Sequence, residues 1–356
     1  MTSPQNATQL FDFHENATDT GSMNETKTCK LLLCLGFWLA GLVLSGCGTS
    51  GSNGTLQVNV MYPFAGLGDR SFADMVYAGI VQAGTEVDLT EEQGVPSDVD
   101  NAKQIFKAWT ATPAKSPDLI ILVGFNYAQL VAESLCDFGG SDVVLLDSSV
   151  SECPHLAYYV YRTFSPSFLA GVASMQVSQR HTAAVIGGMS AATVNEFVRG
   201  FQAGVEYAGG TITAVEYLSD TEAGFSDPDK AAEVANRLYE SADVIFPVAG
   251  GSGQGVFTVA GEAEGRYVIG VDSDQSWINR GVVIGSVVKG LDASVVESVL
   301  AVDSQKFVAG GHVLGMAEGG TDFLINDVFA DRVQDAVEGA RESALTAGAA
   351  DMQANP

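Results

Sequence analysis

The sequence predicts an α/β protein built from two doubly wound lobes, and three observations lead to this prediction. The chain has 356 residues, and a domain typically has about 100–200, so two lobes are expected. Short β-branched runs alternate with longer segments of helical spacing, as in parallel α/β sheets. The strand-like runs are apolar on nearly every side, as strands buried on both faces are.

This alternation places the elements in order along the chain. The strand-like runs are residues 56–61, 119–123, 143–146, 183–186, 244–248, 268–271 and 282–287. The segments with helical spacing are residues 72–85, 98–110, 127–138, 193–208, 227–241, 253–263 and 292–304. Alternation of strand-like runs with helical segments predicts doubly wound α/β sheets.

The N-terminal segment reads as an export signal. Residues 1–22 are polar and are interpreted as disordered, or as an extension upstream of a start at Met23. Lys27 and Lys30 then precede an apolar run over residues 31–44, which is shorter than a membrane span of about 20 residues. A positive segment followed by an apolar run of this length is typical of a signal peptide.

The apolar run ends in Leu-Ser-Gly-Cys at residues 44–47, which resembles the lipobox of bacterial lipoproteins. The sequence therefore predicts removal of residues 1–46, lipidation of Cys47, and a flexible Gly/Ser/Thr/Asn tether that completes the segment 47–55. A chance cysteine after an apolar run is the alternative.

The charge of the chain is strongly acidic. There are 17 Lys and Arg residues against 43 Asp and Glu residues, a formal net charge of −26. A surface of this sign repels phosphate backbones, so the composition excludes nucleic acid as a partner. It fits a protein that works in high salt, and equally an ordinary acidic protein.

The cysteines leave one question open. Cys29 and Cys34 fall in the predicted signal peptide, and Cys47 is the predicted anchor. Cys136 and Cys153 remain, as either a disulfide or two buried thiols. No Cys/His cluster in the sequence has metal-ligand spacing, so no metal or cofactor is expected.

The loops that follow the strands are the expected site, because ligands bind beyond the carboxyl ends of the strands in open α/β sheets. These loops are residues 62–72, 124–126, 147–148, 187–189, 250–255 and 272–275. Their glycines let backbone approach a ligand, and their aspartates can accept bonds from ligand hydroxyls. The glycine-rich loop 250–255 lacks the lysine of a P-loop and, taken alone, is a tight turn before a helix.

Taken in order, these loops resemble the basic membrane lipoprotein family, also called the purine nucleoside receptor-like family of solute-binding proteins. The resemblance covers residues from about 56 to about 345. The matching segments are residues 68–72, 117–120 with 124–125, 187–189 with 195–197 and 200–204, 249–256, 269–275 and 286–289.

The resemblance implies a type I periplasmic-binding-protein fold, in which two Rossmann-like lobes are joined by three crossings around a ligand cleft. The expected lobes are residues 56–161 with 275–305, and 162–274 with 306–350. It also implies a receptor on the extracytoplasmic face of the membrane that delivers a nucleoside to the permease of an ATP-binding cassette (ABC) importer.

The resemblance further implies the ligand contacts. Phe72 and Phe197 would stack on the two faces of the base, and Asp272 would hold the ribose hydroxyls. The other residues that it places near the ligand are Asp147 at the base edge, Lys289 beside the ligand and Asp272, and the backbone of Gly250, Gly251 and Gly253 near the sugar.

Each of these residues also has a plain structural interpretation. Phe72 and Phe197 can be core aromatics, and Asp147 and Asp272 can cap helices. Where the family usually has an asparagine after the phenylalanine to contact the base, this chain has Ala73.

The sequence therefore predicts a receptor that performs no chemistry on its ligand, with a purine nucleoside favoured. One alternative is a signalling receptor for a sugar or autoinducer-like ligand in the same fold. The other is a nucleoside-processing enzyme, for which Asp69 and Asp74 would begin a calcium cluster. No Asp-rich run completes that cluster, and Ser252 lacks the Gly-x-Ser-x-Gly setting of a hydrolase nucleophile.

Overall fold

A computed structural model describes residues 54–355 of the chain. The predicted signal peptide and the lipidation site at Cys47 lie outside these residues. The described part is an α/β structure with two six-stranded sheets. Within it, no helix combines the length and the apolar character needed to cross a bilayer.

The first sheet is entirely parallel and is covered by helices on both faces. Its strands are β1 (Leu56–Met61), β2 (Leu89–Gly94), β3 (Leu119–Val123), β4 (Asp142–Leu146), β5 (Leu156–Tyr161) and β11 (Gly310–Leu314), in the order β11-β5-β4-β3-β1-β2. Its helices are α1 (Phe72–Ala83) and α8 (Leu291–Asp303), which pack against one face, and α2 (Val99–Trp109) and α3 (Ala128–Glu133), which pack against the other.

The second sheet repeats this arrangement with one antiparallel edge strand. Its strands are β6 (Thr182–Gly187), β7 (Thr211–Tyr217), β8 (Val244–Val248), β9 (Tyr267–Asp272), β10 (Val283–Lys289) and β12 (Thr321–Ile325), in the order β12-β10-β9-β8-β6-β7. Its helices are α4 (Phe164–Val177), α5 (Ala192–Tyr207), α6 (Pro228–Leu238), α7 (Gly253–Ala260) and α9 (Ala330–Ala354). β12 runs antiparallel to β10.

The predicted fold class is confirmed, since each lobe is a mainly parallel sheet with helices on both faces. The chain passes between the lobes three times: from β5 to α4, from β10 to α8, and from β11 to β12. All seven predicted strands are present, with ends that differ from the predicted ones by no more than two residues.

The structure corrects the predicted lobe boundaries near the C-terminus. The prediction put residues 275–305 in the first lobe and 306–350 in the second. However, β10 pairs with β9 in the second sheet, and β11 pairs with β5 in the first. The second and third crossings therefore lie near residues 290 and 315–320. β10 is apolar and fits either sheet by composition, and β11 was not predicted as a strand, so the sequence pattern alone did not assign them.

A disulfide joins Cys136 and Cys153, with their Cα atoms 5.7 Å apart. This resolves the alternative that the sequence left open. The bridge ties the segment after α3 to the loop between β4 and β5. β4 lies between the two cysteines, so the bridge fixes both ends of the connection that leads to Asp147.

The first crossing is held by a carboxylate from the second lobe. Glu196 of α5 is buried and accepts hydrogen bonds from the backbone N–H groups of Thr163 and Phe164, at 3.0 and 3.3 Å. The Arg162 guanidinium lies 3.7 Å from the same carboxylate. Because Phe197 follows Glu196, this contact fixes Phe197 relative to the crossing.

Candidate functional site

A cleft lies between the carboxyl ends of the two sheets, with about 780 Å³ of space that is continuous with solvent. Residues from both lobes line it, as predicted for ligands in this fold class. Seven of the eight residues that the sequence singled out are on its wall: Phe72, Asp147, Phe197, Gly250, Gly251, Asp272 and Lys289.

Lys289 is the centre of the charged part of this cleft. Its Nζ lies 2.8 Å from Asp147 Oδ2 and 3.3 Å from Asp272 Oδ1. The side chains of Lys289, Asp147 and Asp272 are only 3, 7 and 10% exposed. Asp147 follows β4 of the first lobe, whereas Lys289 and Asp272 end β10 and β9 of the second. The ion pair with Asp147 thus joins the lobes.

The two aspartates share an unusual backbone conformation. Asp147 has a φ of 62° and Asp272 a φ of 64°, both in the left-handed region. Residues other than glycine seldom adopt it, and it is tolerated where surrounding contacts hold it in place. Each aspartate stands at the end of a buried strand, where this turn directs its carboxylate to Lys289.

Burial and charge oppose each other in this cluster. Burial alone would lower the pKa of Lys289, but the carboxylates of Asp147 and Asp272 outweigh it and raise the pKa above the ordinary value. Burial raises the pKa of Asp147, and the attraction of Lys289 offsets only part of this rise. With both acids ionised, two carboxylates face one ammonium group, and the cluster keeps one negative charge.

Asp272 has acceptor capacity beyond its ion pair with Lys289. Its Oδ2 accepts a hydrogen bond from Ser71 Oγ at 3.1 Å. Its Oδ1 is buried and makes no hydrogen bond of good geometry, although Lys289 Nζ lies 3.3 Å away. A buried carboxylate oxygen without a hydrogen bond is costly. On the wall of a cleft, such an atom is well suited to accept a bond from a ligand hydroxyl.

The two phenylalanines flank Lys289 from different lobes. Lys289 Nζ lies 5.3 Å from the ring centre of Phe72 and 4.9 Å from that of Phe197. Phe72 is half-buried at the start of α1, and Phe197 is buried in α5, where its ring contacts Phe246. Phe197 therefore packs in the core and also lines the cleft.

The loop before α1 holds Phe72 in place through two carboxylates. Asp69 accepts hydrogen bonds from the backbone N–H groups of Ser71 and Ala73, both at 2.9 Å. Asp74 accepts from Gly68 and Arg70, at 2.7 and 2.8 Å. Burial raises the pKa of Asp69 to about 6, although the hydrogen bonds from the Ser71 and Ala73 N–H groups act in the opposite direction. Asp69 and Asp74 thus bond to the backbone of their own loop.

Further hydrogen bonds connect the lobes beside the cleft. Gln254 Nε2 donates to the carbonyl of Gly68 at 3.1 Å, and Gln275 Nε2 donates to that of Arg70 at 3.2 Å. The Arg70 guanidinium also lies over the ring of Trp277, 5.6 Å from its centre. These contacts hold the first-lobe loop against the second lobe, as in a closed arrangement around a ligand.

Two of the three glycines that were expected near the sugar lie on the cleft wall. Gly250 and Gly251 line the cleft, and Gly250 has a φ of 51°, which favours glycine. Gly253 is not among the lining residues: it starts α7, where an added Cβ would meet Pro247 and Phe257.

Sequence reasoning missed several residues of the cleft wall. Phe125 and Asn126 belong to a loop that the sequence singled out, but they received no role. Glu222 and Phe225 lie between two predicted helices, residues 193–208 and 227–241, and no sequence signal marked them. All four line the cleft.

No group of three or more His, Cys, Asp or Glu side chains within residues 54–355 is arranged to hold a metal ion. Asp69 and Asp74, which the enzyme alternative would use for calcium, bond to backbone N–H groups instead.

Comparison with known proteins decides the family. Residues 56–348 match the family model Bmp, described as ABC transporter substrate-binding protein PnrA-like. The chain belongs to the Bmp family. Its members are substrate-binding proteins of ABC transporters, as the loop pattern of the sequence indicated.

Relatives in the Bmp family align over most of the chain. The ABC transporter nucleoside-binding protein BmpA of Lactococcus lactis is 26% identical over 326 residues, which cover 84% of this chain and 92% of that protein. Basic membrane protein A of Borreliella burgdorferi is 27% identical over 273 residues, covering 73% and 76% of the two chains.

Solved structures confirm the fold. A solute-binding protein of an ABC transporter system from Aeropyrum pernix K1 superposes with a TM-score of 0.70 at 23% identity, covering 81% of this chain and 86% of that chain. A periplasmic solute-binding protein from Actinobacillus succinogenes, solved with D-allose, superposes with a TM-score of 0.60 at 14% identity, covering 78% and 100%. This Bmp-family chain has the type I periplasmic-binding-protein fold.

Proposed function

We propose that this Bmp-family protein binds a nucleoside, with a purine nucleoside favoured, and delivers it to an ABC permease without altering it. The observation that carries the proposal is the pair of rings from opposite lobes, Phe72 and Phe197, which flank the ammonium group of Lys289 beside the Asp272 carboxylate. A nucleoside has a flat base and a vicinal diol, and these groups complement both.

The rings supply the contact for the base. Base–aromatic stacking contributes about 1–3 kcal/mol per base. Phe72 belongs to the first lobe and Phe197 to the second, so a base between them would touch both lobes. A ligand with contacts to both lobes favours the closed population.

The carboxylate supplies the contact for the sugar. A hydrogen bond to a charged group contributes about 1.5–3 kcal/mol. Asp272 Oδ1 is fixed by the left-handed turn at the end of β9 and by Ser71 on the other oxygen. Gly250 and Gly251 line the cleft from the second lobe, and a glycine leaves backbone accessible to a sugar.

We further propose that the protein is held at the extracytoplasmic face of the membrane by a lipid on Cys47. The support is the positive segment, the apolar run and the Leu-Ser-Gly-Cys sequence at residues 44–47. Metabolic labelling with a fatty acid in a bacterial host tests this. Label is expected on the protein and is expected to be lost in Cys47→Ser; a labelled Cys47→Ser protein would contradict it.

Calorimetry of the purified protein tests the proposed ligand. The panel contains inosine, guanosine, adenosine, uridine, the free bases, ribose and D-allose. The proposal predicts that a nucleoside binds at micromolar concentration or tighter, whereas free bases and sugars bind at least tenfold more weakly. Tighter binding of a free sugar would contradict it. Chromatography of the ligand after binding is expected to recover intact nucleoside, and release of free base would indicate an enzyme.

A further inference from the structure

Two single-turn helices from opposite lobes meet at the cleft. One is Phe125–Tyr127 of the first lobe, and the other is Glu222–Phe225 of the second. The rings of Phe125 and Phe225 contact each other edge to face, with centres 6.4 Å apart. Because the turns touch through these rings, the polar residues that they carry, Asn126 and Glu222, line the same cleft.

Glu222 is an acid without a partner. Its side chain is half-buried, and it takes part in no hydrogen bond or ion pair with any residue of the described chain. Burial raises the pKa of Glu222 to about 7. By contrast, Asp147 and Asp272 line the same cleft and share Lys289. Glu222 is therefore an acceptor on the cleft wall that no other group within residues 54–355 uses.

Asn126 is the complementary donor. Its Nδ2 is buried and makes no hydrogen bond of good geometry, although it lies near the hydroxyl of Tyr127. That hydroxyl donates to the carbonyl of Tyr62. Gly124 leaves room for the Asn126 amide. Its φ is 118°, which favours glycine, and an added Cβ would lie only 2.8 Å from Asn126 Oδ1. The position of the Asn126 side chain thus depends on Gly124.

The chemistry of these two groups fits one kind of base edge. An ionised carboxylate only accepts hydrogen bonds, and an amide Nδ2 only donates them. A 2-amino-6-oxopurine presents two adjacent N–H donors, at N1 and N2, next to the O6 acceptor. The carboxylate can accept both donors, and the amide can donate to O6. Adenine presents an acceptor at N1, which an ionised carboxylate repels.

We propose that Glu222 and Asn126 read the edge of the base and select 2-amino-6-oxopurine nucleosides, such as guanosine, over adenosine. This inference rests on the proposed nucleoside site. Glu222 would be the specificity-determining acceptor and Asn126 the matching donor, each from a different lobe.

Calorimetry of the full chain in detergent, with guanosine, inosine and adenosine, tests this. The wild type is expected to bind guanosine about tenfold or more tighter than adenosine, a difference that one charged hydrogen bond supplies. Glu222→Gln is isosteric and is expected to weaken guanosine binding about 10–100-fold, inosine less, and adenosine not at all. Asp220→Asn is the matched control: Asp220 is exposed, lies two residues away and does not line the cleft, so all three affinities should stay unchanged.

The pH dependence gives a second readout. Protonation of Glu222 removes its acceptor, so guanosine affinity is expected to fall about tenfold from pH 8 to pH 6, given a pKa of about 7. The other titratable groups around the cleft are Asp69, Asp147, Asp272, Lys289 and Tyr127. Asp69 has a pKa of about 6, and any pH dependence that remains in Glu222→Gln belongs to such groups.

The outcomes separate this inference from the proposed function. If Glu222→Gln binds guanosine as tightly as the wild type, loses all three nucleosides equally, or keeps the full pH dependence, the inference is overturned while the nucleoside site stands. If the wild type binds none of the three nucleosides, the proposed function fails and the inference fails with it.

Discussion

Lys289 Nζ lies 2.8 Å from Asp147 Oδ2, so the last residue of a strand in one sheet is paired with the residue that follows a strand in the other. The pair is nearly inaccessible to solvent, and Asp272 lies on its second-lobe side. Because the chain enters α8 directly after Lys289, this ion pair stands beside the second crossing. It fixes the floor of the cleft on which the proposed ligand contacts depend.

Lys289→Met is expected to destabilise the fold strongly. It leaves the carboxylates of Asp147 and Asp272 buried without their cation, and breaking a buried pair in this way costs about 3–5 kcal/mol. Urea denaturation at pH 8 measures the free energy of unfolding. Lys103→Met is the matched control: it breaks the surface pair with Glu133, where both side chains are more than a third exposed, and only a small change is expected.

The loss in Lys289→Met is expected to shrink as the pH falls. Burial raises the pKa of Asp147, and removal of Lys289 raises it further. An acid whose pKa is higher in the folded state than in the unfolded state binds more protons when folded, so stability increases as the pH falls. Denaturation at pH 5 should therefore show a smaller deficit against the wild type than at pH 8. A deficit that is equal at both values would contradict the account.

Phe197→Leu tests stacking apart from core packing. The leucine keeps an apolar side chain in α5 but removes the ring, so nucleoside affinity is expected to fall by about 1–3 kcal/mol. Phe246→Leu is the control, because Phe246 is fully buried, contacts Phe197 and does not line the cleft. It should lower stability and leave affinity near that of the wild type. Equal affinity losses in calorimetry would make Phe197 a core residue only.

Asp272→Asn separates sugar binding from a structural role. The variant is expected to weaken ribonucleosides more than 2′,3′-dideoxynucleosides, because only the former supply hydroxyls to the carboxylate. Ser71→Ala removes the partner of Oδ2 and keeps the charge, so its effect should be smaller. If the ribo and dideoxy ligands are weakened equally, Asp272 does not grip the sugar.

Reduction of the Cys136–Cys153 bridge is expected to lower stability without changing ligand affinity. The bridged positions are 17 residues apart in sequence, and a loop of this length corresponds to a stabilisation of about 3 kcal/mol through the lower entropy of the unfolded chain. The double variant Cys136→Ser/Cys153→Ser and the reduced wild type should lose the same amount in urea denaturation. Neither cysteine lines the cleft, so a large loss of nucleoside affinity would contradict this prediction.

The sequence predicted the buried strands well but not the polar or uniformly apolar elements. β2 reads Leu-Thr-Glu-Glu-Gln-Gly, and it is a strand because it pairs with β1, while Glu91 and Glu92 accept hydrogen bonds from Tyr62 and Trp109. Helix α4 is apolar all round and packs between α5 and α9, so it shows no amphipathic period. Tertiary contacts, rather than the local sequence pattern, determine the secondary structure of both segments.

The candidate site was predictable where a loop pattern marked it. Phe72 and Phe197 were placed by the motif around them, and the structure brings both to one cleft. Glu222 and Phe225 were not predictable, because their place depends on a contact with Phe125 of the other lobe, 100 residues earlier. The disulfide depended in the same way on a Cα separation of 5.7 Å that spacing alone does not fix.

A crystal structure of the protein with a bound purine nucleoside tests the central claim most directly. The account predicts the base between the rings of Phe72 and Phe197, with the ribose hydroxyls within hydrogen-bond distance of Asp272 Oδ1. A nucleoside bound elsewhere, or bound in the cleft with its base away from both rings, would contradict it.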